Sequence, residues 1–166
     1  LCLVKAEPIA VHGGSMRFWL ASTGDVDPSI WTLWRQEHYQ LRERAFVEFR
    51  ERVDALVERI GDGLANCQAA YGAAAKTTVL LNTLSYYAMH NYASQQAIYD
   101  DSPHKQGKLV PGTKLRIEAP PADMSGLATL AITGWNWAPE LMARARERGF
   151  RGRFFVPLPE PRWIDA

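Results

Sequence analysis

The feature that most constrains this chain is an alternation that begins at Cys67 and runs to Pro159. Short apolar runs, each closed by turn residues, are separated by longer stretches with helical spacing. Cys67 to Tyr71 is such a run and stops at Gly72. Ala73 to about Met89, with Val79, Leu80, Leu81 and Leu84 inside, reads as a helix. Gln96 to Tyr99 is a second strand closed by Asp100-Asp101-Ser102-Pro103, and Leu115-Arg116-Ile117 is a minor strand between Pro111-Gly112 and Pro120-Pro121. Leu127 to Thr133 is the third main strand. Asn136 then suits an N-cap, Pro139 suits the first turn of a helix to about Arg148, and Gly149 ends it. Arg153 to Val156 is the last strand, stopped by Pro157. Strands that alternate with helices in this way predict βαβ units, hence an α/β fold with a mostly parallel, right-handed wound sheet flanked by helices.

The residues before Cys67 obey other periods. Met16, Phe18 and Leu20 alternate with Arg17 and Trp19, the period of a strand, and Leu1 to Lys5 forms a short partner across turns at Pro8 and Gly13-Gly14. A lone hairpin is marginal in water, so this one is expected to join a sheet whose other strands lie upstream. Thr23 to Ser29 is a linker in which Asp27 or Ser29 can cap the next helix. From Ile30 to about Leu64 apolar residues such as Leu33, Phe46, Val53, Val57 and Ile60 recur at helical spacing opposite Arg42, Glu43, Arg50 and Glu51. This is one long or two shorter amphipathic helices, ended by Gly61 and Gly63. The expected organisation is a hairpin over 1–22, a helical segment over 23–64 and the α/β domain over 65–166.

Charge and cysteine usage narrow the function classes. Lys and Arg number 19 against 18 for Asp and Glu, with no block of one sign, so no broad nucleic-acid footprint is expected. No apolar run approaches the roughly 20 residues that cross a bilayer, and no signal peptide is visible. Cys2 and Cys67 are far apart and fit a reducing, cytoplasmic setting better than a disulfide framework or zinc site. The first residue is Leu, so the chain reads as a piece of a longer protein.

In an open parallel sheet, ligands bind beyond the carboxyl ends of the strands, where three loops of unusual composition fall. In Tyr71-Gly72-Ala73-Ala74-Ala75-Lys76 the small residues allow close approach to the backbone, the helix start offers free N–H donors, and Lys76 adds a positive charge. An anion suits it, although it is neither GxGxxG nor a P-loop, and the same small residues also serve tight helix–strand packing. Asp100-Asp101-Ser102-Pro103-His104-Lys105-Gln106-Gly107-Lys108 mixes hydroxyl acceptors with anion donors, and is otherwise a solvated turn. Gly134-Trp135-Asn136-Trp137 offers two indoles, either core or a stacking wall for a base or sugar. No nucleophile–base pair, paired carboxylates or metal-ligand spacing accompanies them, and no catalytic or metal residue is assigned within the chain.

Taken in order, His12-Gly13-Gly14-Ser15-Met16-Arg17, the Tyr71–Lys76 turn, the Asp101–Lys108 loop with Pro111-Gly112-Thr113, Trp135-Asn136-Trp137 and Pro157-Leu158-Pro159 resemble the carboxyl-terminal region of SAM-dependent C-methyltransferases. That family includes enzymes that methylate a carbon of nucleotide-linked keto-deoxysugars. The resemblance implies a Rossmann-like C-terminal domain that holds the nucleotide-sugar, preceded by the closing strands of a SAM-binding domain. S-adenosylmethionine, the zinc cysteines and the acid–base residues would belong to that upstream domain, and this chain alone would not turn over.

By the same resemblance, Gly72, Ala73, Ala74 and Lys76 would hold the diphosphate, with Tyr71 among the substrate-binding residues. Asp100, Lys105 and Gln106 would meet ribose, phosphates or sugar, Trp135 and Asn136 would close the wall, and His12 and Ser15 would face the sugar. Thr77-Thr78 departs from the family, whose members usually carry Gly after the Lys, and the segment from Asn82 to Asn91 is atypical. The competing expectation is a non-catalytic or dehydrogenase-like dinucleotide-binding module that uses the same turn for a pyrophosphate.

Overall fold

The computed structural model describes residues 1–11, 14–87 and 97–166. Two compact units emerge, Leu1–Val53 and Asp54–Ala166.

In the first unit, β1 (Cys2–Ile9) pairs antiparallel with β2 (Ser15–Ala21). The period-2 pattern made the strand as expected, yet Phe18 and Leu20 on β2 are 58% and 61% exposed. Arg17 bonds Glu7, and both Lys5 and Arg17 lie over the Trp19 ring. The amphipathic stretch resolves into two helices, α1 (Pro28–Gln40) and α2 (Glu43–Ala65). Asp27 is the cap of α1: its carboxylate accepts the Ser29 N–H at 2.8 Å, with Pro28 in the first turn. That bond holds the Asp27 carboxyl below its ordinary pKa.

Helix α2 runs to Ala65, so Gly61 and Gly63 do not end it. Both are buried inside the helix, and a Cβ on Gly63 would meet the Phe155 ring. The absent side chain lets the helix settle onto that ring, and packing outweighs the low helix propensity of glycine.

The second unit is a six-stranded sheet ordered β5-β4-β3-β6-β7-β8. Its strands are β3 (Ala69–Tyr71), β4 (Ala97–Tyr99), β5 (Ile117–Glu118), β6 (Thr129–Ile132), β7 (Arg153–Val156) and β8 (Arg162–Asp165). The first five are parallel, as the alternation required, with α3 (Ala75–Tyr86) after β3 and α4 (Ala138–Glu147) between β6 and β7. The strands are shorter than the apolar runs; Cys67, for example, belongs to the turn closing α2, where its N–H donates to Leu64.

Arg153–Val156 is not the last strand. After the Pro157–Pro161 turn the chain doubles back as β8, antiparallel to β7. Pro157 breaks β7, and the four-residue run Arg162-Trp163-Ile164-Asp165 is too short to signal a strand without the partner that β7 provides. Trp163 packs against Phe155, and Ile164 against the core.

Alternate residues of the sheet supply two faces. Tyr71, Leu130, Ile132, Phe154 and Val156 form one apolar cluster with Ala138 and Ala145 of α4. Phe155, of opposite parity, lies at Gly63 of α2. Strand β3 is followed on one side by β4 and β5, while the chain returns on its other side as β6, so the winding reverses between β3 and β6. A crevice opens at the carboxyl ends of strands at such a point.

Candidate functional site

Strands β3 and β6 end against one another in glycines. Gly72 has φ +107°, and a Cβ there would stand 2.6 Å from the Gly134 nitrogen and 2.8 Å from its Cα. The positive φ and the close approach both select glycine. Thr77, fully buried, ties the turn from within: its hydroxyl lies 2.8 Å from the Gly72 carbonyl and 3.0 Å from that of Thr133. The β-branched Thr77 therefore locks the two loops together.

Helix α3 begins at Ala75, with Ala74 as N-cap and no side-chain cap among the described residues. The Ala73 N–H is spent on the Asp100 carboxylate at 2.9 Å. The N–H groups of the first turn are the free donors, at the positive end of the helix dipole.

Two cavities meet at this turn. The larger, about 370 Å³, is lined by Tyr71, Gly72, Ala74, Asp100, Asp101 and Lys105 on one side and by Gly134, Trp137, Glu140, Leu141 and Arg144 on the other. The smaller, about 200 Å³, is lined by Ala74, Ala75, Lys76, Thr133, Gly134, Trp135, Asn136 and Trp137. Ala74, Gly134 and Trp137 border both.

Charges in the larger cavity are cross-linked. Asp100, nearly buried, accepts from Ala73, from the Ser102 N–H at 2.9 Å and from Lys105 Nζ at 2.9 Å, and Gln106 donates to its backbone carbonyl. Asp101 accepts the Tyr71 hydroxyl at 2.6 Å and the Arg144 guanidinium at 2.8 Å, with Arg148 at 3.6 Å. Burial alone would raise the Asp101 pKa, but Tyr71 and the two arginines outweigh it and hold the carboxyl below its ordinary value. The Tyr71 hydroxyl is pushed up to about 12, first by burial and then by its bond to Asp101.

Most of the residues singled out from the sequence converge here. Tyr71, Gly72, Ala74, Asp100 and Lys105 share the larger cavity, while Ala74, Lys76, Trp135 and Asn136 share the smaller. Ala73 and Gln106 act on Asp100 instead of lining either cavity. Ser15 lies in the first unit, where its hydroxyl donates to the Val11 carbonyl. His12 lies outside the described residues, as do Met89 and Asn91.

Asn136 is not an N-cap: it is exposed in a 3-10 turn over Trp135–Trp137, and α4 starts two residues later. That extra turn displaces the helix start, while Pro139 keeps its place in the first helical turn. Sequence reasoning missed Asp101, Glu140 and Arg144. Arg144 on α4 and Arg148 at its C-cap stand four apart, a spacing that a merely solvated helix face shows just as often.

Fold and crevice define an open-sheet α/β domain with a crevice at the strand ends. The family described as the C-methyltransferase C-terminal domain matches residues 10–159, and the chain belongs to that family. The C-methyltransferase NovU of Streptomyces niveus is similar to it, 30% identical over 181 residues, an alignment covering 100% of this chain and 42% of NovU. The chain thus spans less than half the length of that relative. Among the described residues, no helix is long and apolar enough to cross a membrane and no group of three His, Cys, Asp or Glu is placed to hold a metal.

Proposed function

We propose that this chain is the substrate-binding C-terminal part of a cytoplasmic, SAM-dependent C-methyltransferase, and that it positions a nucleotide-linked keto-sugar for methyl transfer to carbon. One observation carries the reading: an uncapped helix start, Lys76 and the Gly72–Gly134 close approach meet at the switch point of the sheet. Donors without acceptors at such a place suit a diphosphate. In this arrangement Gly72 and Ala74 let the phosphates reach the α3 N–H groups, and Lys76 adds charge. Lys105, oriented by the Asp100 carboxylate, contacts the nucleotide from the β4 side.

S-adenosylmethionine supplies a methyl group from a sulfonium cation. The positive helix terminus and Lys76 do not fit that cation, so the methyl donor is assigned to another part of the protein. The exposed apolar side of β2 supports residues 1–22 as edge strands of that domain's sheet. What this domain contributes to rate is orientation, a share of the roughly 7–11 kcal/mol available from holding reactants in place.

A dinucleotide-binding module is the second reading, because Asp100 ends the second strand where a ribose carboxylate belongs. Its three internal bonds count against it. Isothermal titration calorimetry of the chain with dTDP-glucose and with NAD separates the two. Binding of the sugar nucleotide alone is expected; binding of NAD alone overturns the proposal.

A further inference from the structure

We infer that the α4 side of the larger cavity, Trp137 with Glu140, grips a hydroxyl-bearing sugar ring, the hexose of the ligand. The inference rests on the nucleotide-sugar reading above and assigns the direction in which that ligand lies.

Four charged side chains of the cavity cancel in pairs, Asp100 with Lys105 and Asp101 with Arg144. Glu140 has no hydrogen bond or ion pair among the described residues, although it lines the same cavity. In the adjoining cavity Lys76 is likewise without a partner among the described residues. The indole that borders both is Trp137, 66% exposed. A ligand that answers all three groups is anionic at one end and neutral, hydroxylated and ring-shaped at the other.

Glu140 follows Trp137 by three residues, so the carboxylate and the indole share one side of the start of α4. An ionised carboxylate only accepts, and its two oxygens match a pair of neighbouring hydroxyls. The C–H face of a sugar ring packs on an indole at the same time. A pyrimidine base fits less well, because its imide N–H is flanked by two carbonyl oxygens that a carboxylate repels. Phosphate is driven from Glu140 toward Lys76 by charge alone. The diphosphate therefore lies at the α3 start and the sugar ring over Trp137.

The test is calorimetry of the chain and of its Trp137→Ala, Glu140→Ala and Glu140→Gln variants with inorganic pyrophosphate, dTDP and dTDP-glucose. Losing a stacked ring or a pair of charge-assisted bonds is expected to raise the Kd for dTDP-glucose about tenfold. Pyrophosphate binding is not weakened in any of the three variants, and removal of the repelling carboxylate in the Glu140 variants leaves it equal or tighter. Weakening confined to dTDP-glucose is expected, because the 2′-deoxyribose of dTDP has no pair of neighbouring hydroxyls; equal weakening for dTDP places the contact on the nucleoside and overturns this inference. Variants that bind dTDP-glucose as tightly as the parent overturn this inference while leaving the proposed function standing. A parent chain that binds neither pyrophosphate nor dTDP-glucose overturns both. Glu140 is exposed and has no partner among the described residues, so its variants keep the test intact if Trp137→Ala fails to fold.

Discussion

Replacing Tyr71 by Phe removes one oxygen from a fully buried side chain and leaves its packing in place. The loss is the 2.6 Å bond to Asp101. A hydrogen bond to a charged group contributes about 1.5–3 kcal/mol. Asp101 keeps Arg144 at 2.8 Å and Arg148 at 3.6 Å and is partly open to water, so the lower end applies, about 1–2 kcal/mol. For a chain of this size that is a fall in Tm of about 2–8 °C.

The pH dependence follows from two opposite shifts. The folded Asp101 pKa lies below its unfolded value, so its contribution is present above the ordinary carboxylate range and is lost as pH falls through the folded value. Tyr71 is raised to about 12, so its contribution is complete below its ordinary pKa and is lost as pH rises toward 12. Urea unfolding at a series of pH values should therefore show the parent and Tyr71→Phe furthest apart near neutrality and converging at both extremes. Some alkaline loss persists in the variant, because burial also raises Tyr99 and pushes Cys67 up to about 12. Equal stability of the two chains at pH 7, or a gap that widens on acidification, would refute the reasoning.

Other substitutions probe other parts of the argument. Gly63→Ala gains helix propensity but drives a methyl into the Phe155 ring, and a net loss of about 1–3 kcal/mol is expected in urea unfolding. Gly72→Ala adds a left-handed backbone penalty of about 1–2 kcal/mol to a collision with Gly134, which should weaken both folding and ligand binding. Asp100→Asn removes the charge that holds Lys105; a raised Kd for dTDP-glucose with a modest fall in Tm is expected by calorimetry and thermal melts. Lys76→Ala should leave Tm unchanged and weaken pyrophosphate binding about tenfold, the equivalent of 1.4 kcal/mol; unchanged binding removes Lys76 from the anion site.

Periodicity and punctuation alone determined the order of strands and helices between residues 67 and 156, because one face of every such element must be apolar and every turn needs its own residue types. The Gly72 turn and the Asp27 cap region were legible for the same local reason, whereas the C-methyltransferase family was legible only through the resemblance of the ordered motifs. Local pattern could not decide which strand lies beside which, and so it could not place the reversal between β3 and β6 that opens the crevice. Nor could it foresee β8, whose pairing depends on a doubling back after Pro157, or the continuation of α2 through two glycines, which the Phe155 ring explains. The partition of charge in the cavity is also tertiary. Asp100 and Asp101 are adjacent and chemically alike, yet one orients Lys105 while the other binds Tyr71 from β3 and Arg144 from α4. Sequence put carboxylates, cations and indoles near the strand ends; only the packing of α4 against β3 and β6 decided which charges cancel and which remain to meet a ligand.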